Sequence, residues 1–241
     1  DGTGNWENIP AHITRLNQIV LWMNNNHANI HTPSDPIAGV PYISDSRIQY
    51  EAQYYFYQNT AMWGELSATV LSAAVAAIDP TRLEALPIHV TSAIYGGGVA
   101  GYANLPSFTL SNDSYVWTDN NEANPVADWA WYMHLNHEIG HCLDLLHTYS
   151  GGNETVVMSN ADFMSDLFDP ADLWCSPPTG QACLHQGGWS CDPFIAGNHC
   201  TNNMMGGTQS SHYLTPMQMG KIHRALALKN VPPSVAQLPT S

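Results

Sequence analysis

The chain has 241 residues, enough for one large domain or for two lobes around a cleft. Its 20 acidic residues outnumber its 6 lysines and arginines, and the formal charge of -14 argues against nucleic acid as a partner. No apolar run reaches the length of a membrane span, and the first residues show no signal peptide. The low cation content is typical of a secreted protein that like charge keeps soluble.

The first half of the chain alternates between helical and extended patterns. Hydrophobic spacing predicts helices over residues 10–25 and 63–78. Residues 47–57 alternate and are rich in aromatic side chains, which predicts a strand between these helices. Shorter strands are predicted at residues 87–92, 99–104 and 115–118. The alternation favours an α/β (α+β) fold.

The second half contains two helices separated by an irregular stretch. An Asn-Pro pair at residues 124–125 has the order of a cap and a first-turn proline, so it predicts the start of a helix that carries residues 137–141. Residues 148–211 lack periodicity and are dense in Gly, Pro, Asn, Asp and Cys. A Thr-Pro pair opens the last predicted helix, over residues 215–229.

The segment 137–147 has the spacing of a catalytic zinc site. His137 and His141 are four residues apart, so a helix places both imidazoles on one face. Glu138 lies about 100° further round the helix, where its carboxylate can act as general base on a zinc-activated water. Core packing does not explain three histidines with an acid between them. A metal-dependent hydrolase is therefore the leading hypothesis.

His147 is the predicted third zinc ligand. It lies six residues beyond His141, so the helix must end between them, and Asp144 is the candidate for the left-handed conformation that a sharp turn needs. Other zinc families take a distant acidic third ligand, but the last glutamate of the chain, Glu154, is too close to come from a separate helix. Four aspartates remain alternatives in principle: Asp162, Asp166, Asp169 and Asp172.

The cysteines indicate an oxidising compartment. Cys142 lies in the zinc helix and is predicted to be a buried thiol. The other four are candidates for two disulfides: Cys175, Cys183, Cys191 and Cys200. A structural zinc site is the alternative, although their spacing lacks the short C-x-x-C knuckle of such sites. Three disulfide pairings remain open.

With three histidines in place, the motif resembles that of the metzincin metalloproteases, H-E-x-x-H-x-x-G-x-x-H followed by a methionine turn. Residues 202–207, Asn-Asn-Met-Met-Gly-Gly, look like that turn. Within the metzincins the chain resembles the pappalysin family, over residues 46–51, 101–106, 137–149 and 200–226. The resemblance implies zinc on the three histidines, Glu138 as general base and Met205 as the turn methionine, with Met204 as the alternative.

The resemblance also implies an architecture of one catalytic domain over residues 1–241. Its N-terminal lobe, residues 1–147, would contain a twisted, mostly parallel sheet and the active-site helix. Its C-terminal lobe, residues 148–241, would be mostly irregular, with the methionine turn, disulfides and a final helix. An edge strand would bind the substrate peptide as an added strand; its residues are Gly101, Tyr102, Ala103 and Asn104. A pro-segment is expected in the precursor.

The chain departs from the family pattern at two positions. Asp144 stands in place of a glycine, which Asp tolerates because it can enter the left-handed region. Gly207 stands where relatives have a tyrosine that steadies the transition state; either Tyr213 or His212 substitutes for it, or the enzyme relies on zinc and Glu138 alone. Some members of the family place an acid a few residues past the turn, where it receives Arg or Lys after the cleaved bond. Residues 206–213 contain no acid, so the resemblance favours an apolar or small residue there.

Two further groups of residues have weaker signals. The aspartates named above as alternative ligands could instead hold a structural calcium ion, although loop aspartates more often cap turns. His134 precedes the motif by one helical turn, and we expect it on the cleft side of the helix or in solvent.

The sequence thus predicts a secreted zinc endopeptidase that hydrolyses peptide bonds of a protein or peptide substrate. Two alternatives remain. One is a catalytically weak, zinc-containing module that binds a protein, which the departures at Asp144 and Gly207 favour and an intact Glu138 opposes. The other is a zinc hydrolase of a non-peptide amide.

Overall fold

The computed structural model describes residues 6–34, 36–57, 73, 77, 86–91, 101–103, 116–119, 127–148, 164–167, 201–206 and 212–228. The elements with described bounds are α1 (Pro10–Ala28), β1 (Ile88–Thr91), β2 (Gly101–Ala103), β3 (Val116–Asp119), α2 (Asp128–Cys142), a 3-10 turn (Ser165–Leu167) and α3 (Pro216–Leu228). Of the helix predicted over residues 63–78, only Ala73 and Ala77 are described, and both are helical.

The chain divides into two compact units. One comprises residues 1–24, 49–143 and 225–241, and the other comprises residues 25–48 and 144–224. Each unit is assembled from separate stretches of sequence, whereas the predicted lobes are continuous. No helix in the described ranges is both long enough and apolar enough to cross a membrane.

Helix α1 confirms the first predicted helix and continues three residues beyond it. Ile19 and Met23 are buried, as their spacing of four residues on one face predicts. Arg15, on the same helix, reaches the carboxylate of Asp128, with its Nη2 2.6 Å from Oδ1. This ion pair joins α1 to the first turn of α2.

The predicted strand at residues 47–57 is wrong, because none of these residues is in a strand. Both backbone groups of Tyr50 bond to the side chain of Asn24: the amide donates to Oδ1 at 2.7 Å, and the carbonyl accepts from Nδ2 at 2.9 Å. The Tyr54 hydroxyl donates to Asn17, also on α1. The side chain of Asn24 therefore takes the backbone bonds of Tyr50 that a neighbouring strand would otherwise satisfy.

The three short strands form one sheet with the order β1-β3-β2. β1 pairs with β3 in parallel, with Ile88 opposite Val116, and β2 pairs with β3 in antiparallel orientation, with Tyr102 opposite Trp117. β1 and β2 lie inside their predicted ranges, and β3 is shifted by one residue from its predicted range. The described strands include both orientations, so a mostly parallel sheet stays a prediction.

Helix α2 begins at Asp128, and the predicted start at the Asn-Pro pair of residues 124–125 is wrong. Ala127 is the last residue before the helix, and it has an extended backbone without a side-chain cap. Asp128 places a carboxylate in the first turn, where the helix dipole favours negative charge. The aromatic ring of Trp6 packs on Trp131 at a centroid distance of 5.4 Å and helps to anchor this end of α2.

Helix α3 begins where the Thr-Pro pair predicts, with a reciprocal cap. The Gln218 amide donates to Oγ1 of Thr215 at 3.2 Å, and the Thr215 amide donates to Oε1 of Gln218 at 2.9 Å, which is a capping box. Asp166 adds a second cap, because its carboxylate accepts from the Thr215 hydroxyl and the Met217 amide. Met219 and Ile222 are buried as predicted.

Candidate metal centre

Helix α2 supplies the first two candidate ligands. His137 and His141 lie one turn apart, with ring centroids separated by 4.8 Å and ring planes at 90°. His141 is buried and His137 is half-buried. The last turns of the helix are buried on nearly every side, so the two rings are fixed by packing as well as by helical geometry.

The helix ends as the spacing of the histidines predicts. The amide of Leu143 donates to the carbonyls of Ile139 and Gly140, and Asp144 has a φ of 74°. This left-handed residue stops the helix and redirects the chain. Three residues later the chain reaches His147, which is half-buried. The predicted conformation of Asp144 is therefore confirmed.

The three predicted histidines form one group that could hold a metal ion. One nitrogen atom from each of His137, His141 and His147 lies within 4.8 Å of the other two. Tetrahedral zinc with bonds of about 2.1 Å separates its nitrogen ligands by about 3.4 Å, so these atoms would approach one another by up to about 1.4 Å around a bound ion. Three imidazoles also match the donor set of a catalytic zinc, which leaves one position open.

Glu138 is buried between the two helical histidines. Burial raises the pKa of its carboxyl group from 4.5 to about 7. A zinc ion on the neighbouring histidines would act in the opposite direction, because a nearby positive charge favours the ionised carboxylate.

His134 lies one turn before Glu138 and was predicted to face a cleft or solvent. Its side chain is 28% exposed, but its Nε2 atom is buried and lies 3.4 Å from Oε1 of Glu138. Burial, and secondarily the neighbouring His141, lower the pKa of His134 to about 4, so its imidazole is neutral at pH 7. Of the two expected positions, the cleft side of the helix and solvent, the burial of Nε2 argues against solvent, and the sequence did not predict the contact with Glu138.

Strand β2 lies against this part of α2. A Cβ atom added to Gly101 would lie 2.0 Å from Nε2 of His134 and 3.0 Å from Cγ of Glu138. The strand predicted to bind substrate thus begins beside the predicted base. Tyr102 and Ala103 continue the strand, and Asn104 lies outside the described residues.

The predicted methionine turn is a tight turn in the structure. The Gly206 amide donates to the Asn203 carbonyl, so Met204 and Met205 are its central residues, and both are fully buried. The carbonyl of Met205 accepts from the Thr148 amide at 3.1 Å. This bond holds the turn next to the residue that follows His147.

Asp144 also contacts two cations of helix α3. Its Oδ2 atom lies 3.5 Å from Nη2 of Arg224 and 3.9 Å from Nζ of Lys221. The chain has only 6 lysines and arginines, so a third of them lie near this one carboxylate. Asp144 therefore has basic partners as well as the left-handed backbone conformation.

Three residues with weaker predicted roles are described. Tyr213 is 2% exposed, and burial together with nearby Asp166 raises the pKa of its hydroxyl to about 12. Its neighbour His212 is half-buried and stacks on His31 at a centroid distance of 4.5 Å. Both carboxylate oxygens of Asp166 are used to cap α3, which opposes a calcium site on that residue.

Several predicted features lie outside the described residues. These are the four candidate disulfide cysteines (Cys175, Cys183, Cys191, Cys200), three of the candidate calcium ligands (Asp162, Asp169, Asp172) and Gly207. Cys142 is described and is a fully buried thiol, as predicted.

In comparison with known proteins, the chain matches no protein-family model and no curated protein. The resemblance to the pappalysin family therefore rests on the sequence motifs alone and stays a prediction.

Proposed function

We propose that the chain is a zinc endopeptidase, with His137, His141 and His147 as the zinc ligands and Glu138 as the general base. The observation that carries the proposal is the convergence of the three histidines, with a buried carboxylate from the same helix beside them. A structural zinc site needs four protein ligands and no base. Three imidazoles with an adjacent glutamate are the arrangement of a hydrolytic site.

The residues of the chain supply proton transfer and the binding of substrate. When bound, zinc polarises the scissile carbonyl and lowers the pKa of the attacking water. Glu138 accepts the proton of that water and passes it to the leaving nitrogen. The buried position of Glu138 strengthens these interactions, because it excludes competing solvent.

Strand β2 is the proposed binding element for an extended peptide. It pairs with β3 on one side and begins at Gly101, next to Glu138. A peptide that added to an open edge of β2 would run past the base, with its backbone held by main-chain hydrogen bonds. We further propose a secreted enzyme whose substrate has an apolar or small residue after the cleaved bond.

The decisive experiment compares the wild type with Glu138→Ala and His147→Ala in three measurements: zinc content, thermal midpoint with and without a chelator, and cleavage of a peptide library. The wild type should bind about one zinc, be stabilised by it and cleave peptides. Saturation at about 100 times the dissociation constant adds about 2.7 kcal/mol of stability. Glu138→Ala should keep the zinc and its stabilisation but lose cleavage by about a thousandfold or more. His147→Ala should lose both zinc binding and peptide cleavage.

The outcomes also separate the rival functions. A wild type that binds zinc without cleaving any peptide would support the protein-binding module, and cleavage of small amides alone would support a non-peptide hydrolase. Full cleavage by Glu138→Ala would refute the role of the base. Trp129→Phe, an exposed position on the same helix, is the control for nonspecific damage to α2.

A further inference from the structure

His134 has a buried polar atom with no hydrogen bond. Its Nε2 is fully buried and makes none in the structure, although buried polar atoms normally have a partner. It lies 3.4 Å from Oε1 of Glu138, just beyond the usual range of about 2.7–3.2 Å. The two residues are one turn apart on α2, where side chains lie above one another. A small rotation of either side chain would complete a hydrogen bond.

His134 is not part of the candidate metal group. Among the described residues, this group comprises the three histidines of the motif, although the rings of His134 and His137 are nearly parallel at a centroid distance of 6.3 Å. The polar contact of His134 is instead with the carboxylate. His134 therefore interacts with Glu138 and is not a ligand of the ion.

Strand β2 packs on His134 and Glu138, and it leaves room for their contact only because residue 101 is glycine. A Cβ atom there would overlap Nε2 of His134 at 2.0 Å and Cδ2 at 2.6 Å, and would press on Cγ of Glu138 at 3.0 Å. Gly101 is not among the residues with positive φ, so its backbone conformation does not require glycine. Glycine is required at position 101 because a larger residue would occupy the space in which His134 lies against the Glu138 carboxylate.

We propose that His134 is a positioning residue for Glu138: it donates a hydrogen bond from Nε2 to Oε1, and Gly101 provides the space for this contact. The bond fixes the plane of the carboxylate and leaves Oε2 to receive the proton of the attacking water. This role deepens the proposed peptidase function and rests on it. The existence of the hydrogen bond does not depend on catalysis, so the two can be tested separately.

The kinetic test compares His134→Leu, which removes the donor, with His134→Gln, which can place an amide N–H at a similar reach. His134→Leu should lower kcat roughly tenfold to a hundredfold, the effect of losing a hydrogen bond to a charged group. KM and zinc content should remain at wild-type values, because neither substrate nor ion contacts the lost atom. His134→Gln should recover most of kcat.

Three results would overturn the positioning role. They are a wild-type kcat in His134→Leu, an equal loss in both variants, and loss of zinc in His134→Leu with the fold intact. Gly101→Ala provides a second test, since it should lower kcat and add little to the loss in His134→Leu. Additive losses would show that Gly101 acts independently of His134.

A spectroscopic test covers the case of a variant that fails to fold or a chain that cleaves nothing. In ¹⁵N-labelled full-length wild type, with and without zinc, the His134 ring should carry its proton on Nε2, with that resonance shifted by the carboxylate. Glu138→Ala should move this resonance and Trp129→Phe should not. A proton on Nδ1, or a resonance indifferent to Glu138→Ala, would disprove the hydrogen bond. Absence of peptidase activity with the resonance as expected would refute only the proposed function.

Discussion

Asp144 combines two properties that a single residue seldom needs together. Its φ of 74° requires a left-handed backbone, and its carboxylate lies near Arg224 and Lys221. A left-handed conformation costs most residues about 1–2 kcal/mol, whereas glycine adopts it freely and Asp or Asn does so at lower cost. The surface ion pairs contribute roughly 0–1 kcal/mol.

These costs predict an order of stability among three variants at this position. Asp144→Ala should be about 1 kcal/mol less stable than Asp144→Gly, because both lack the carboxylate and only alanine is strained. Asp144→Asn isolates the charge and should stay within about 1 kcal/mol of the wild type. The free energies of unfolding come from urea denaturation. All three should bind zinc, so loss of the metal in Asp144→Gly would show that Asp144 has another role.

His27 makes stability depend on pH. It is buried in the second unit, where Nδ1 lies 3.0 Å from Oγ of Ser46, and burial lowers its pKa from 6.5 to about 4. Above about pH 6.5 the ring is neutral in both folded and unfolded chains, so no stability is lost there. As pH falls from 6.5 towards 4, the His27 ring binds a proton in the unfolded chain but not in the folded chain, so stability decreases.

The size of this effect can be measured with His27→Gln, which cannot titrate. Between about pH 7 and pH 4.5 the wild type should lose about 2–3 kcal/mol more unfolding free energy than the variant does. The subtraction removes groups that titrate equally in both proteins. Equal losses in both proteins would mean that His27 is protonated as readily in the folded chain as in the unfolded chain.

At the scale of elements, the start of α3 depends on a small polar network. Thr215 donates to Asp166, accepts from the Gln218 amide and is fully buried. Thr215→Val keeps the shape but leaves these groups without their partner, so it should lower the unfolding free energy by about 2–3 kcal/mol. Thr215→Ser loses only a methyl group and should cost about 1 kcal/mol. If Thr215→Val lowers the unfolding free energy no more than Thr215→Ser does, the cap contributes nothing to stability.

The elements that could be predicted from sequence are those whose geometry is local. One helical turn sets the relation of His137 to His141, and the distance to His147 requires a turn between them, so the left-handed Asp144 followed from spacing alone. Likewise, the Thr-Pro pair at residues 215–216 marks the start of a helix whose cap lies within four residues.

Features that depend on distant partners could not be predicted. Residues 47–57 have the pattern of a strand, but the side chain of Asn24 takes both backbone hydrogen bonds of Tyr50, in the middle of this stretch. The pattern does not say which partner will satisfy a backbone. The contact of Gly101 with His134 is of the same kind, since it requires knowing that β2 packs on that turn of α2.

For the whole molecule, the state of the cysteines is the main test of the proposed extracellular setting. The chain has 5 cysteines, and Cys142 is buried as a thiol. With the four others in two disulfides, a thiol reagent should react with about one group in denaturant and about five after reduction. Reaction of all five without reductant would instead favour a structural metal site or reduced cysteines. The native chain should react slowly, because Cys142 is fully buried.

The contacts of Asp144 with helix α3 have a consequence for the evolution of the chain. A glycine at this position meets the backbone requirement alone and gives no reason to keep cations on the adjoining helix. The formal charge of -14 already includes Asp144, and without the two nearby cations the 20 acidic residues would face only 4 basic ones, a formal charge of -16. Among related sequences, an acid at position 144 should therefore co-vary with basic residues at positions 221 and 224.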